Sequence, residues 1–378
     1  MSTRLLAAPT AEQQLLLDTS ERFIEDTLPV SKVREIAEGA PGPDGAYFET
    51  AGSLGWFGLL VDEAHGGGSA SDNGLLDAAA VAAERGARLQ PGPFVGTNVV
   101  ASALSRAGAP FGKLLARLIA GQARATWVAG AARGLTPGAG EITARAETGG
   151  YVLDGEVRHV QEVADCEALL VTARGPAGLL QAVVATDAPG IEVRPLDGID
   201  ITRRTGAVRL DGARVGADAV VGAPGSDTEA LFDRQAQIAA VLVCAEAVGT
   251  LHRDFELALE HAKVRIAFGR PIGSFQAIKH LLADTSLTLE MAKGLVAAAA
   301  EALGADAANG GELAHAAKAF VGERGIDVTH ACFQVFGGIG YTWEHDHHLY
   351  MRRLAADAVA FGAPQWHRAR LADRIGVA

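Results

Sequence analysis

The sequence has few cysteines, no surplus of basic residues and no long apolar run. Its three cysteines, Cys166, Cys244 and Cys332, share no Cys-x-x-Cys spacing, so neither a disulfide framework nor a zinc knuckle is expected. Acidic residues outnumber basic ones by 45 to 33, which argues against a nucleic-acid binder or a polybasic membrane binder. No apolar run approaches the roughly 20 residues that span a bilayer. We therefore expect a soluble, cytoplasmic protein.

Several motifs that bind nucleotides or carry nucleophiles are also missing. No Gly-x-Gly-x-x-Gly lies between a predicted strand and helix, so a Rossmann domain is not indicated. Residues 108–114 do not form a phosphate loop, because the spacer is short and no Ser or Thr follows Lys113. No Gly-x-Ser-x-Gly occurs, and an α/β-hydrolase nucleophile is therefore not indicated.

The chain is long enough for two or three domains, with 378 residues of which 49% are hydrophobic. The apolar spacing is helical up to about residue 121, alternates with period two to about residue 224, and is helical again afterwards. We expect an α+β protein with an N-terminal helical domain (1–122), a middle β-barrel or sandwich domain (123–225) and a C-terminal four-helix bundle (226–378).

Individual elements follow from the same patterns. Leu15, Leu16, Thr19 and Phe23 predict one apolar stripe on a first helix that Pro29 ends. Further helices are predicted over residues 75–85, 98–107, 231–261, 276–303 and 314–333. Strands are predicted around residues 127–129, 151–153, 168–173 and 180–185.

Two glycine-containing segments could contact an anionic ligand. Residues Arg265–Gln276 place an arginine at the end of a helix, a Gly–Pro turn, and a glutamine at the start of the next helix. A guanidinium fork and helix N-terminal amides both suit phosphate, although Arg265 could instead interact only with its helix dipole. In Gln334–Gly340, paired glycines would allow close backbone approach to a ligand, or form a plain turn.

Residues Glu344–His348 contain ligand types that suit a metal, but no partner motif surrounds them. Adjacent histidines on a helix diverge, and only His345 and His348 would share a face. We expect a partly exposed helix start at an interface and no metal site.

Taken together, the α–β–α order and these motifs resemble the acyl-CoA dehydrogenase flavoenzymes. The resemblance covers nearly the whole chain. Residues 342–346 and 361–364 are similar to the short actinobacterial members, many of which act on steroid side chains or other bulky thioesters. The segments that carry it are Leu54–Gly58, Asp62–Gly67, Arg265–Gln276, residues 277–284 and Gln334–Gly340.

The resemblance implies the dehydrogenation of an acyl-CoA thioester. A carboxylate removes the α-proton, the β-hydrogen leaves as hydride to FAD, and hydrogen bonds hold the thioester oxygen. It also implies a tetramer in which this chain contacts the FAD of a neighbouring subunit, with an electron-transfer flavoprotein as acceptor. The implied cofactor contacts are Arg265, Phe268, Gln276, Gln334, Gly337 and Gly338.

This sequence departs from the family at the catalytic base. Matching from Gln334 puts Phe361 at the usual glutamate position, and the alternative position upstream of Arg265 is Ala239. Glu246 lies two helical turns beyond Ala239 on the same face, and it is the only candidate base that we identify. The alternative interpretation of Glu246 is a structural glutamate paired with Arg253 or another chain.

The middle domain departs as well. Residues 128–132 stand where the family has a Thr–Glu segment beside the flavin, and His159–Gln161 stand where it often has Trp–Ile/Val–Thr. Some actinobacterial relatives form α2β2 tetramers in which one subunit type supplies the base. The resemblance therefore favours a subunit of a heteromer. A self-sufficient homotetramer using Glu246 and a non-catalytic, flavin-binding or structural paralogue are the alternatives.

Overall fold

A computed structural model describes residues 4–129, Leu135 and residues 141–377 of the chain. The elements follow the expected α–β–α order. None of the helices in these ranges is both long and apolar enough to cross a membrane. Six helices come first: α1 (Ala11–Thr27), α2 (Val30–Ala37), α3 (Gly45–Ser53), α4 (Gly74–Ala87), α5 (Phe94–Ala107) and α6 (Gly112–Ile119).

The predicted apolar stripe of α1 is confirmed in part, because Leu16 and Phe23 pack against the core. Leu15 is 68% exposed, whereas the buried residues are Gln13, Leu17, Ser20 and Ile24. Two of these residues, Gln13 and Ser20, are polar, and each can be buried because it makes a buried hydrogen bond. The Gln13 amide donates to the carboxylate of Asp77 over 2.7 Å, and the Ser20 hydroxyl accepts the indole N–H of a core tryptophan over 2.9 Å. Apolar periodicity alone could not identify such a stripe.

The middle of the chain forms one mixed seven-stranded sheet, in the order β1-β4-β2-β3-β7-β6 with β5 on the other side of β4. β1 and β4 are parallel, while β2–β3, β3–β7, β6–β7 and β4–β5 are antiparallel pairs. The strands are β1 (Ala125–Ala129), β2 (Ile142–Glu147), β3 (Gly150–Gln161), β4 (Ala168–Gly175), β5 (Gly178–Ala185), β6 (Ile191–Leu196) and β7 (Thr205–Gly216).

Three long helices and two shorter ones form the C-terminal part, and α9 packs against all four others. A two-stranded hairpin, β8 (Ile266–Ala267) and β9 (Arg270–Pro271), separates the first two long helices, as the Gly–Pro turn predicted. The helices are α7 (Ser226–Val264), α8 (Gln276–Gly304), α9 (Gly310–Phe336), α10 (His347–Val359) and α11 (Pro364–Ile375).

Two glycines allow α4 and α7 to pack closely together. A Cβ atom on Gly86 of α4 would lie 1.9 Å from the carbonyl oxygen of Glu246, and one on Gly249 of α7 would lie 1.9 Å from that of Ala83. Any side chain at either position would force the helices apart. This contact joins the N-terminal helices to the C-terminal ones in a shared apolar core.

A buried network of six charged side chains joins all three parts of the chain. Arg203, which follows β6, donates to Asp357 of α10 over 2.6 Å and to Glu246 of α7 over 2.8 Å. Arg353 of α10 donates to Asp200 over 2.7 Å. Arg85 of α4 lies 3.7 Å from the Glu246 carboxylate. Three positive and three negative groups therefore balance one another away from water.

The charges inside this network alter its acid–base equilibria. Burial raises the pKa of Asp357 to about 6, even though Arg203 and Arg353 lie close to it. Burial would raise the pKa of Asp200 too, but the charges of Arg353 and Arg203 outweigh it and the net shift is downward. Because each ion depends on its partners, removing one leaves another charge buried and unpaired.

We predict that Arg203→Met lowers the free energy of unfolding by about 3–5 kcal/mol, because Glu246 and Asp357 would lose their shared cation in a dry site. Urea unfolding measures this. Arg368, which pairs with Glu323 on the surface, provides the control, since Arg368→Met should cost at most about 1 kcal/mol. Adding Asp357→Asn to Arg203→Met should recover part of the loss, because Arg85 then keeps Glu246 and Arg353 keeps Asp200. Equal midpoints for Arg203→Met and wild type would contradict a structural role for the network.

Candidate active site

A mostly apolar cavity of about 380 Å³ lies between the sheet and the end of α10. Its walls are β1, the last residues of β3, the 197–200 loop and residues 356–361. This volume falls within the usual range for a small-molecule site. Ile199 and Val359, which are 55% and 47% exposed, are aliphatic lining residues that reach solvent.

The aromatic pair Trp127 and Phe361 forms part of the cavity wall. Their rings are stacked with centroids 6.4 Å apart and planes 7° apart. Trp127 is held on its other sides by an edge contact with Phe232 and by an indole N–H that donates to the Thr172 hydroxyl over 2.9 Å. The residue that motif matching from Gln334 predicts to stand at the base position is therefore an aromatic wall residue.

Residues 159–161 line the same cavity, so the structure brings together the segments at which the sequence departs from the family. His159 and Phe361 both have left-handed backbones, with φ of 61° and 53°, and such strained residues cluster at functional sites. The hydroxyl of Thr126 is already used, because it donates to the Gln161 carbonyl over 3.1 Å. Gly130, Ala131 and Ala132 of the other departing segment lie outside the described residues.

Two carboxylates line this cavity, Asp197 and Asp200. Asp197 is exposed. Asp200 is committed to Arg353 and to the hydroxyl and amide of Thr202. Neither carboxylate was singled out by sequence, since an acidic residue in a Gly–Asp-rich loop carries no local signal.

Glu246, the candidate base, lies in the charged network. It is 3% exposed, bonds to Arg203, and is not among the residues that line the cavity. The predicted partner Arg253 was wrong, because Arg253 bonds to Glu256 and the cation at Glu246 comes from the middle domain. Ala239, the alternative base position, is completely buried in the core.

The predicted cofactor contacts lie elsewhere, on an outward-facing surface at one end of the C-terminal helices. His261 of α7 and Phe336 of α9 contact each other with ring centroids 5.5 Å apart, which places the two motifs side by side. All six predicted contacts are exposed: Arg265, Phe268, Gln276, Gln334, Gly337 and Gly338.

Several features of this surface suit a ligand that a second chain would present. The guanidinium of Arg265 makes no hydrogen bond or ion pair with the rest of the described chain, and Phe268 is 95% exposed. A Cβ at Gly337 or Gly338 would meet nothing within 4 Å, so the backbone there is open to close approach. Among the described residues, the side chain of Gln276 has a hydrogen-bond partner only in His280, at 3.5 Å.

The histidine segment packs beneath this surface. Against expectation, α10 begins at His347, so His345 precedes the helix, and His347 is fully buried. Its Nδ1 atom lies 2.7 Å from Asp254, and its ring stacks on Phe333. In the described ranges, no group of three His, Cys, Asp or Glu side chains could hold a metal ion.

Family models match most of the chain. Residues 10–122 match the acyl-CoA dehydrogenase N-terminal domain and residues 231–376 match the acyl-CoA dehydrogenase C-terminal domain. Acyl-CoA dehydrogenase IpdE2 of Mycobacterium tuberculosis is 29% identical over 371 residues, which cover 97% of this chain and 98% of that protein.

Solved structures share the fold over the full chain. The ChsE4–ChsE5 complex from Mycobacterium tuberculosis superposes with a TM-score of 0.85 at 24% identity, covering 100% of both chains. A variant of the Tcur3481–Tcur3483 steroid ACAD superposes with a TM-score of 0.83 at 25% identity, covering 97% of this chain and 98% of that one.

Beside the cavity, Glu162 is buried and its carboxylate accepts the Gly92 amide over 3.0 Å. Burial, with the charge of Asp165, raises the pKa of Glu162 from 4.5 to about 7. The folded state therefore holds this proton more tightly than the unfolded state does. We predict that this group lowers the free energy of unfolding as pH rises from about 4.5 to about 7, by at most roughly 3 kcal/mol.

Glu162→Gln keeps the acceptor for Gly92 and removes the ionisation. Relative to wild type, this variant should gain stability progressively across that pH window, as measured by urea unfolding at a series of pH values. Glu49→Gln, on the exposed side of α3, is the control and should follow the wild-type curve. If the unfolding free energies of Glu162→Gln and wild type changed in parallel with pH, the raised pKa of Glu162 would be refuted.

Proposed function

Because the chain belongs to the acyl-CoA dehydrogenase family, we propose that it is one subunit type of a heteromeric, flavin-dependent enzyme whose base comes from a second chain. The observation that carries the proposal is Phe361. Phe361 lines the cavity and stands where most family members have a glutamate. The residues predicted to contact the cofactor are nevertheless present on the outward-facing surface. The chain would thus supply half of a composite site.

The outward surface supports binding to the FAD of a neighbouring subunit. A diphosphate needs a cation with two donors and a backbone that it can approach closely. Arg265 has its guanidinium free for such a contact within the described structure, and Gly337 and Gly338 leave their surroundings open. Phe268 and Gln276, on the same hairpin and helix start, would contact the remaining parts of the cofactor.

The cavity would hold the reacting end of the substrate. In the family reaction a carboxylate takes the α-proton of the acyl-CoA while bound FAD accepts the β-hydrogen as hydride. In this chain, Trp127 and Phe361 would exclude water from the cavity, and the exposed aliphatic residues Ile199 and Val359 would favour a bulky acyl group. The described cavity walls offer mainly apolar packing, with Asp197 as an exposed carboxylate at their edge.

The charged network supports a partner-supplied base. Glu246 lies between Arg85 and Arg203, and its carboxylate is held in this structural ion-pair network. A general base must reach the proton that it takes, and Glu246 does not line the cavity. Phe361 and Ala239 have no group that can accept a proton.

A steroid-derived or similarly bulky thioester is the substrate class that we infer. One structural relative, Tcur3481–Tcur3483, is named a steroid ACAD. Its name, like that of the ChsE4–ChsE5 complex, gives two different chains. The mostly apolar cavity of this chain suits such an acyl group. We further infer that the assembly is a tetramer and that electrons pass to an electron-transfer flavoprotein, as the family resemblance implies.

Expression of the chain alone and together with candidate base-bearing partner chains tests the proposal. The visible spectrum and the native mass of each product give flavin content and stoichiometry. We expect full flavin occupancy and turnover only with the partner. Full occupancy and turnover by the lone chain would contradict the proposal, and no flavin or acyl-CoA binding in any complex would favour a structural paralogue.

We predict that Arg265→Ala removes most of the FAD from the purified complex and loosens its assembly, because phosphate charge would lose its cation at an interface. Arg265→Lys should restore this only in part, since lysine lacks the planar two-point fork. Flavin-to-protein ratio after gel filtration measures both effects. Lys263→Ala changes the charge equally, in the last turn of α7, and should behave as wild type. Full flavin and wild-type elution for Arg265→Ala would show that the site is misassigned.

Glu246→Gln separates the heteromeric enzyme from a self-sufficient one. We predict that the complex keeps turnover to within about tenfold of wild type, while its urea midpoint falls because Arg203 loses a charged partner. A self-sufficient enzyme using Glu246 would instead lose turnover and keep its flavin. Turnover and flavin content are therefore measured on the same preparation.

A further inference from the structure

The chain segment that ends α10 and carries Phe361 is held by donors from two other helices. Lys318 of α9 donates to the carbonyl oxygens of Ala358 and Gly362, over 2.8 and 2.9 Å. His367 of α11 lies 2.9 Å from the carbonyl oxygen of Phe361 through its Nε2 atom. Three carbonyls within five residues thus have side-chain partners.

Lys318 is an unusual residue for this task. It is 1% exposed and forms no ion pair within the described residues, and burial lowers its pKa. A buried ammonium is costly unless its donors are satisfied, and here the carbonyls supply that satisfaction. An apolar residue would fill the same core position without the cost of burying a charge. The presence of a lysine therefore indicates a role for its bonds in positioning the end of α10.

The bond from His367 fixes its tautomer. Since the Phe361 carbonyl only accepts, Nε2 must carry the proton, and the bare Nδ1 must then accept from a donor. That donor is Nδ1 of the buried His315, 2.9 Å away. Burial lowers the pKa of His367 to about 3 and that of His315 to about 4, so both rings are neutral near neutral pH.

The backbone around the same bonds is tightly constrained. Phe361 has a left-handed backbone with φ of 53°, which a bulky residue rarely adopts. A Cβ at Gly362 would lie 2.4 Å from Nε2 of His367, so only glycine allows His367 to approach. These constraints set the direction in which the Phe361 side chain leaves the backbone, toward Trp127 and the cavity.

We propose that Lys318 and His367 are positioning residues that hold the 358–362 segment so that Phe361 closes the cavity against Trp127. They act through the backbone and contact no reacting atom. Their relevance to dehydrogenation rests on the proposed function, whereas the position of the wall does not. The alternative is that these bonds only satisfy the last carbonyls of a helix, which would stabilise the fold without affecting the cavity.

Quenching of Trp127 fluorescence by acrylamide distinguishes the two roles in the full chain. The contribution of Trp127 is obtained by subtracting the signal of the matching Trp127→Phe protein. We expect Lys318→Met and His367→Leu to raise the quenching constant of Trp127 by about threefold or more, because the wall would open locally. His367→Gln retains an amide donor of similar reach and should restore the wild-type constant.

Ser20→Ala is the matched control, because it removes the acceptor of a buried indole N–H in the N-terminal domain. It should lower the melting temperature and leave Trp127 quenching unchanged. Lower melting temperatures for Lys318→Met and His367→Leu with wild-type quenching would overturn the proposal. If Lys318→Met does not fold, the His367→Leu and His367→Gln pair decides the matter. The measurement needs neither flavin nor thioester, so its outcome is separate from that of the proposed function.

Discussion

Six buried charges at the junction of the three domains are the constraint on which the rest of the structure depends. Arg203 reaches Glu246 of α7 and Asp357 of α10 from the middle domain, and Arg85 reaches Glu246 from α4. Desolvation makes such a network costly, and it persists only when every member is paired. The relative positions of the helices and the sheet are thereby fixed by directional bonds, while the apolar core supplies the nonspecific part of the stability.

The same network determines what the cavity can be. Asp357 and Arg353 of α10 face the network, whereas Ala356 and Val359 of the same helix line the cavity. Because the charged network fixes one face of α10, it also positions the residues of the opposite face that line the cavity. Glu246, the one glutamate that sequence spacing offered as a base, is a charge partner in this arrangement. Lys318 and His367 then hold the short segment beyond the helix.

Local sequence patterns predicted the order of helices and strands well. They could not predict which side chains pair over a long distance in sequence. The α–β–α order and the long helices of the C-terminal part follow from periodicity and from glycine–proline turns. The stripe of α1 was predicted only in part, because Gln13 and Ser20 are buried through partners far along the chain. Arg203 and Asp357 are 154 residues apart, and neither has a neighbour in sequence that marks it. Motif spacing located the outward surface, but nothing local located the wall formed by Trp127 and Phe361.

One helix, α10, begins beneath the outward surface at His347 and ends at the cavity at Val359. Its 13 residues correspond to about 20 Å of rise. The two regions therefore lie at opposite ends of one helix and, in the part of the chain that the structure describes, share no side chain. After a gene duplication, a copy could lose its proton-accepting residue and still be retained by selection for the face it offers to its sister chain. The heteromer that we propose is then a simple evolutionary outcome of where this fold places these two regions.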